Sequence, residues 1–290
     1  MTSILSIATP AFVAQVADRR FSFIDAAGNA TLADDSANKL TLFCNRMAFG
    51  YTGLAYIGPQ RTDIWLAHLL GRFSGASLKE ATTELQQEAT ATFARLPLSS
   101  RVKRHAFVGV GWTCTDAEQL QFRPMICRIS NFHDNDGRVL ALAQKEFTFA
   151  FTIYTPPQWG WIEIGARMNH QEVAGLTRLL SRAARKGASA FSAVRLMVTA
   201  IRAINERGDK TVGKNLLAVV MPSDVAVAPS VQVLIGGGAG MYIGNGEPDF
   251  KNSPNIFSAF FPDGQSYGTI YAPNLTGKGK ALTNVQAGPL

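Results

Sequence analysis

Residues 2–20 read TSILSIATPAFVAQVADRR, and this stretch decides the fold. Two runs rich in small and apolar residues, 4–8 and 12–17, lie on either side of a break at Thr9-Pro10. That pattern is typical of two strands joined by a turn. The stretch therefore predicts a pair of neighbouring strands at the start of the chain, with Asp18 where the second one ends.

Strand and helix patterns alternate along the rest of the chain. Asn45 joins two apolar runs so closely that a hairpin is predicted, and predicted helix starts carry capping residues at Thr62, Ser77, Asn169 and Ser189. The predicted strands are 40–44, 46–52, 106–111, 125–130, 147–154, 161–166 and 216–221, and the predicted helices are 63–73, 78–96, 169–186 and 190–207.

This order of elements favours an α+β fold in which two antiparallel sheets stack face to face with a helix pair on each outer side. Residues 2–221 form the predicted domain. Beyond Pro222 the composition shifts toward glycine, proline and asparagine with short apolar runs. We therefore expect 222–290 to be a glycine-rich β extension that packs on the domain or extends it.

Composition narrows the classes of function. A chain of 290 residues with 47% apolar and 17% charged side chains can bury a large core. It contains no apolar run of the roughly 20 residues that a membrane span needs and no leader pattern at its start, so we expect a soluble, cytoplasmic protein. The net charge is +7, but the basic residues are scattered without interleaved aromatic residues, which favours solvated helix faces over nucleic-acid binding.

No cofactor or metal is predicted. The three cysteines, Cys44, Cys114 and Cys127, form no CxxC pair, and the four histidines lack ligand spacing. The glycine tract 236–240 is not followed by the Lys-Ser/Thr of a phosphate-binding loop, so turns between late strands are the preferred interpretation.

The candidate site begins at Thr2. Removal of Met1 is expected because threonine is small, and Thr2 would then carry a hydroxyl nucleophile and a free α-amine on one residue. The reference pKa of an α-amine is about 7.7 to 8.0, so it can act as the general base near neutral pH. Asp18 could return to the terminus beside Thr2, and Arg20 follows it by two residues.

Two further residues extend this pattern. Lys39 precedes the apolar hairpin, where its ammonium would favour the alkoxide of Thr2. Gly53 follows the hairpin, where a backbone without a side chain could present its N–H to a developing oxyanion. Each residue alone is weak evidence, because threonine after the initiator, a strand-end aspartate, a surface lysine and a turn glycine are all common.

The joint pattern of Thr2, Asp18-x-Arg20, Lys39 and Gly53 resembles the proteasome β-subunit and HslV family of N-terminal nucleophile hydrolases, including their bacterial homologues. The resemblance implies a four-layer αββα sandwich, a threonine peptidase and assembly into rings. It further implies that Thr2 attacks a peptide carbonyl while Lys39 and Asp18 tune it and the Gly53 N–H stabilises the intermediate. An ATP-dependent unfoldase partner stays unknown.

Two positions depart from the family pattern. Ala166, in Gly165-Ala166-Arg167, stands where the family has a serine. In the later Asp-x-x-Ser-Gly pattern Asp209 is kept, and Val212 replaces the serine. These departures leave two alternatives open, namely a catalytically inactive proteasome-like shell or interaction subunit, and an amide hydrolase acting on small molecules.

Overall fold

The computed structural model describes residues 2–24, 30–34, 37–43, 47–72, 78–116, 121–185, 187–224, 229–234, 241–243, 258–260 and 266–267. Within these residues the chain is a mixed α+β protein with four helices. The strands before the first helix are β1 Ser3–Ala8, β2 Phe12–Asp18, β3 Phe21–Ile24, β4 Ala30–Asp34, β5 Leu40–Phe43, β6 Met47–Thr52, β7 Tyr56–Ile57 and β8 Gln60–Arg61.

The remaining elements follow, up to β13, in the order that the patterns predict. They are α1 Thr62–Gly71, α2 Leu78–Arg95, β9 Ala106–Asp116, β10 Gln121–Ser130, β11 Thr148–Ile153, β12 Gly160–Gly165, α3 His170–Arg185, α4 Ala190–Glu206, β13 Leu216–Pro222, β14 Ser230–Leu234, β15 Met241–Ile243, β16 Ser258–Phe260 and β17 Ser266–Tyr267. The predicted strands and helices of 2–221 are thus confirmed to within a few residues at their ends, as far as the chain is described.

The first large sheet has the strand order β12-β1-β2-β13-β14-β15 and is antiparallel throughout these pairs. β1 and β2 are buried along their whole length, because both lie inside the sheet and both faces of the sheet are covered. The pairing of Ser3 with Gly165 and of Leu216 with Asp18 aligns one end of four strands. Of the predicted site residues, Thr2 and Asp18 lie at this end.

The second large sheet has the order β11-β10-β9-β6-β5-β16-β17. Its pairs are antiparallel except β5 with β16, which is parallel, so the expectation of two wholly antiparallel sheets is wrong at this edge. Thr52, the last residue of β6, pairs with Ala106, the first of β9, and Ala106 in turn pairs with Ser130.

Three clusters of buried apolar side chains position these elements. One joins the second sheet to α1 and α2, and includes Phe49 and Leu85. A second combines residues of both sheets, such as Ile4 and Val108. The third joins the first sheet to α3 and α4. Burial of apolar surface at about 25 cal/mol per Å² makes such clusters the main source of folding free energy.

The helix starts follow local hydrogen bonding. α3 begins with the predicted capping box, since Asn169 Oδ1 accepts the Glu172 N–H at 2.9 Å and Glu172 Oε2 accepts the Asn169 N–H at 2.8 Å. Ser189 caps α4 as predicted. The prediction that Thr62 caps the first helix is wrong. The cap position is Arg61, while the Thr62 hydroxyl donates to the Leu54 carbonyl at 2.8 Å. Ser77 lies outside the described residues.

Residues 25–29 lie outside the described part of the chain. The hairpin β3–β4 on either side of them was not predicted. After Pro222, β14 and β15 continue the first sheet, while β16 and β17 continue the second. The glycine tract 236–240 lies outside the described part. Among the described helices, none is long and apolar enough to cross a membrane.

Candidate active site

Lys39 connects the predicted nucleophile to the predicted aspartate. Its Nζ donates to Thr2 Oγ1 at 2.8 Å and to Asp18 Oδ2 at 3.2 Å, and a further short hydrogen bond joins Nζ to the Arg20 carbonyl oxygen. An ammonium has three protons to donate, and these contacts use all three. Lys39 and Asp18 are 1% and 0% exposed, so their attraction acts in surroundings with little water.

Asp18 is the central acceptor of the site. Its Oδ1 accepts the Ser3 N–H at 2.7 Å, and its Oδ2 accepts the backbone N–H groups of Arg20 at 3.0 Å and Gly213 at 3.1 Å. Together with Lys39, four donors converge on one carboxyl group. This set fits the carboxylate form, which only accepts hydrogen bonds.

Thr2 lies between the two large sheets and is 5% exposed. On the side of the first sheet its carbonyl oxygen accepts the Ala166 N–H at 2.8 Å. Gly165 has a φ of +100°, and a Cβ there would lie 1.6 Å from the Thr2 carbonyl oxygen. Glycine is therefore required for the close approach of β12 to Thr2.

Thr52 contacts Thr2 on the side of the second sheet and was missed by sequence reasoning. The Thr2 backbone nitrogen donates to Thr52 Oγ1 at 3.4 Å, and the same hydroxyl lies 3.5 Å from the Thr2 carbonyl oxygen. Ala166, as its sequence position predicts, offers no hydroxyl here, and its side chain packs in the third cluster. The only sequence signal for Thr52 is its place directly before Gly53.

Gly53 follows Thr52 directly and is exposed. Its φ is +115°, and a Cβ would lie 2.3 Å from the Arg104 carbonyl oxygen and 2.7 Å from His105 Nδ1. The next residue, Leu54, donates its N–H to His105 Nδ1 at 3.1 Å. Because Thr52 is held by its strand pairing and Leu54 by His105, the backbone of Gly53 is fixed from both sides.

His105 is the second residue that sequence reasoning missed. It is fully buried, and its ring packs against Tyr51, Phe93 and Phe107 with centroid distances of 6.0, 4.9 and 4.6 Å. Burial lowers the pKa of His105 to about 3, so the ring is neutral at ordinary pH. Nδ1 accepts a hydrogen bond, which places the proton on Nε2. His105 is therefore a neutral support for the Gly53-Leu54 turn.

The neutral state of His105 makes stability sensitive to acid. Its pKa is about 3 in the folded chain and about 6.5 unfolded, so below pH 6.5 the unfolded chain binds the extra proton and the free energy of unfolding falls with pH. At pH 5 this loss is about 2 kcal/mol. In His105→Gln, the decrease between pH 7.5 and pH 5, measured by urea unfolding, should be smaller by that amount.

The exposed His68, which bonds to Gln60 on the surface, provides the control. His68→Gln should retain the decrease seen in the unmodified protein. Equal decreases in the unmodified protein and in His105→Gln would contradict a neutral His105.

The predicted residue Asp209 lies in the loop before β13. Its Oδ1 accepts the Thr211 N–H at 2.9 Å and the Thr211 hydroxyl at 2.5 Å. Val212 is fully buried, and the loop reaches the site through the Gly213 N–H on Asp18. These hydrogen bonds join the Asp209 side chain to its own loop, so its catalytic role stays a prediction.

Metal and thiol chemistry find little support in the described residues. No group of three or more His, Cys, Asp or Glu side chains there is placed to hold a metal ion. Cys127 is buried, and burial raises the pKa of its thiol to about 12, while Cys114 is exposed. Cys44 lies outside the described part of the chain.

No family model matches this sequence, and no curated protein matches it. Similar solved structures include an Anbu (Gly-1) mutant from Hyphomicrobium sp. strain MC1. It is 14% identical over 85% of this chain and 89% of that chain, with a TM-score of 0.49. Another is Anbu (ancestral beta-subunit) from Yersinia bercovieri, which is 13% identical over 77% of this chain and 83% of that chain, with a TM-score of 0.48.

Proposed function

We propose that this chain is an N-terminal threonine hydrolase that cleaves peptide bonds. The observation that carries the proposal is the 2.8 Å contact between Lys39 Nζ and Thr2 Oγ1, with Asp18 completing the group at 3.2 Å from the same ammonium. A buried lysine beside a hydroxyl stabilises the alkoxide that attacks a carbonyl carbon.

The chemistry requires Thr2 to be the first residue, so removal of Met1 is part of the proposal. The free α-amine takes the proton of the Thr2 hydroxyl while Oγ1 attacks the substrate carbonyl, and the Gly53 N–H accommodates the resulting oxyanion. The amine then gives its proton to the leaving nitrogen, and the peptide bond breaks to leave an ester on Thr2. Water hydrolyses the ester and restores the hydroxyl.

The proposal extends to the assembly. The three apolar clusters support a four-layer αββα arrangement, in which α1 and α2 cover one outer side and α3 and α4 the other. We further propose a homo-oligomeric ring in the cytoplasm, acting on peptides or unfolded protein, with 222–290 as an extension of the domain.

A second candidate is a catalytically silent subunit of the same architecture. It is favoured by the apolar side chains of Ala166 and Val212, since neither position supplies a hydroxyl to the site. Intact mass spectrometry separates the two candidates. A chain that keeps Met1 has no free amine on Thr2. That result would reject the hydrolase and leave the catalytically inactive subunit.

A β-lactone probe tests the nucleophile directly, because Oγ1 opens the lactone ring to form an ester and the protein gains the full mass of the probe. We expect one adduct on Thr2 in the unmodified protein and in Thr2→Ser, and none in Thr2→Ala. Ser3→Ala is the matched control, since Ser3 carries the neighbouring buried hydroxyl, and this variant should be labelled at the unmodified rate. Labelling that persists in Thr2→Ala would contradict the assignment.

A further inference from the structure

Arg104 lies at the edge of the site on the second sheet. It precedes Ala106 by two residues, and Ala106 pairs with Thr52, the residue that contacts Thr2. The Arg104 backbone packs against Gly53. The guanidinium carbon lies 4.7 Å from the centroid of the Phe132 ring, a contact that holds the charge in place without using its N–H groups.

Arg167 lies at the corresponding edge on the first sheet. It follows Gly165 by two residues and Ala166 by one, and both of these contact the Thr2 carbonyl oxygen. The Arg167 side chain is exposed, and its backbone carbonyl accepts Arg207 Nη2 at 3.3 Å. Its position therefore follows directly from the contact between β12 and Thr2.

Both arginines are on the side of Thr2 opposite Lys39. In the second sheet, β6 lies between β5 and β9. Lys39 comes just before β5, and Arg104 comes just before β9. In the first sheet, β1 lies between β2 and β12. β2 ends at Asp18, and Arg167 comes just after β12. The site therefore has the lysine and its carboxylate on one side of the nucleophile and two arginines on the other.

Neither guanidinium group takes part in the close ion pairs seen in the described part of the chain. These pairs include Lys39–Asp18, Arg61–Asp63, Arg138–Asp136 and Arg207–Glu172. Arg104 Nε is buried without a hydrogen-bond partner among the described residues. Glu163 is close enough for the charge of Arg167 to act to lower its pKa, and its Oε1 also accepts the Met168 N–H at 2.6 Å.

The local electrostatics agree with this excess of positive charge. Burial and the charge of Arg167 both lower the pKa of Arg104. Burial lowers the pKa of His133 to about 4, and repulsion from Arg128, Arg167 and Arg104 contributes to that shift. The carboxylates of Asp134 and Glu163 offset part of this positive charge, and a ligand of opposite charge would compensate more of it.

We infer that Arg104 and Arg167 form an anion subsite beside Thr2 that binds a carboxylate of the substrate. The inference rests on the proposed function for its substrate, and it names the class: acyl compounds that carry a carboxylate on the side of the scissile bond away from Lys39. Guanidinium groups suit this ligand because their planar N–H pairs match the two oxygens of a carboxylate. The carboxylate belongs either to an acidic side chain or to a peptide carboxyl terminus.

Matched peptides test the specificity and separate the two sources. One pair exchanges Glu for Gln at each position flanking the scissile bond, and another exchanges a terminal carboxylate for a carboxamide. We expect about 10- to 100-fold higher kcat/KM for the charged member of one pair, the range of a charge-assisted hydrogen bond. In Arg104→Gln and Arg167→Gln this preference should fall toward one, because kcat/KM for the charged member falls more than kcat/KM for the neutral member.

Arg185→Gln is the control, because Arg185 bonds to Ser181 on the outer helix α3. Its peptide preference should match that of the unmodified protein. Equal kcat/KM for charged and neutral peptides in the unmodified protein would overturn the inference, as would an equal loss for both members of a pair in the arginine variants.

A binding measurement tests the subsite even if Thr2 is catalytically inactive. Glutarate should raise the Tm of the unmodified protein and of Thr2→Ala, whereas the neutral glutaramide should not, and Arg104→Gln and Arg167→Gln should abolish the shift. If no β-lactone adduct forms but glutarate still raises the Tm, the hydrolase proposal is rejected and the anion subsite is retained. An intact adduct with neither a glutarate shift nor a carboxylate preference would reject the subsite alone.

Discussion

Lys39→Met is expected to slow acylation of Thr2 by about 10²- to 10³-fold, the range found for groups that stabilise developing charge at a reacting oxygen. Methionine has a similar length but no charge, so Thr2 Oγ1 loses the donor that lies 2.8 Å away. The same change leaves Asp18 fully buried without its cation. Removing one partner of such a pair costs about 3 to 5 kcal/mol in the free energy of unfolding.

A double-variant cycle with Asp18→Asn separates these two effects. In the double variant no buried charge is left unpaired, so it should be less destabilised than the sum of the single variants by about 2 kcal/mol. Its acylation rate should stay as low as that of Lys39→Met, because the donor to Thr2 is still missing. Urea unfolding and the rate of β-lactone labelling measure the two quantities on the same samples.

The surface pair of Arg138 and Asp136 provides the control. It joins side chains that are 80% and 74% exposed at a distance of 4.0 Å, so water screens its attraction. Arg138→Met should change neither stability nor labelling appreciably. Additive effects of Asp18→Asn and Lys39→Met on stability would show that the buried pair is not coupled and would remove the physical basis of the site.

Local pattern was enough to predict most of the fold and part of the candidate site. Thr2 lies two residues before a short apolar run, and Asp18 and Lys39 each lie directly beside one. Such runs predict where neighbouring strands begin and end. Register then brings these residues together, since Ile4 pairs with Ala17.

The missed residues depend on contacts between distant segments. Thr52 reaches Thr2 across 50 residues, and His105 reaches Leu54 across 51. Both contacts follow from the packing of the two sheets and the pairing of β6 with β9, which no local pattern specifies. The capping error at Thr62 has a more local cause, because its hydroxyl donates to the carbonyl of Leu54, eight residues earlier, instead of capping the helix start.

Gly165→Ala is the other substitution from which we expect a large effect. A Cβ at this position would lie 1.6 Å from the Thr2 carbonyl oxygen, and a backbone oxygen cannot move aside as the end of a flexible side chain can. β12 and Thr2 must therefore separate, with loss of the Ala166 N–H bond to Thr2. We expect a decrease of about 3 to 5 kcal/mol in the free energy of unfolding.

Gly208→Ala distinguishes this clash from backbone strain alone. Gly208 has a φ of +98°, close to the +100° of Gly165, but a Cβ there would meet nothing within 4 Å. Its substitution should therefore cost only the conformational strain, about 1 to 2 kcal/mol, and leave β-lactone labelling unchanged.

The difference between the two alanine variants isolates the contact of Gly165 with Thr2. A displacement of about 1 Å at the nucleophile can lower the rate by about 10²-fold, so labelling of Gly165→Ala should fall at least that far at a temperature where the variant is still folded. This loss is expected because Thr2 is held from both sheets at once, by β12 on one side and by Thr52 and Lys39 on the other. If Gly165→Ala matched Gly208→Ala in both stability and labelling, β12 would not position Thr2, and the alignment of the strand ends would not be what builds the site.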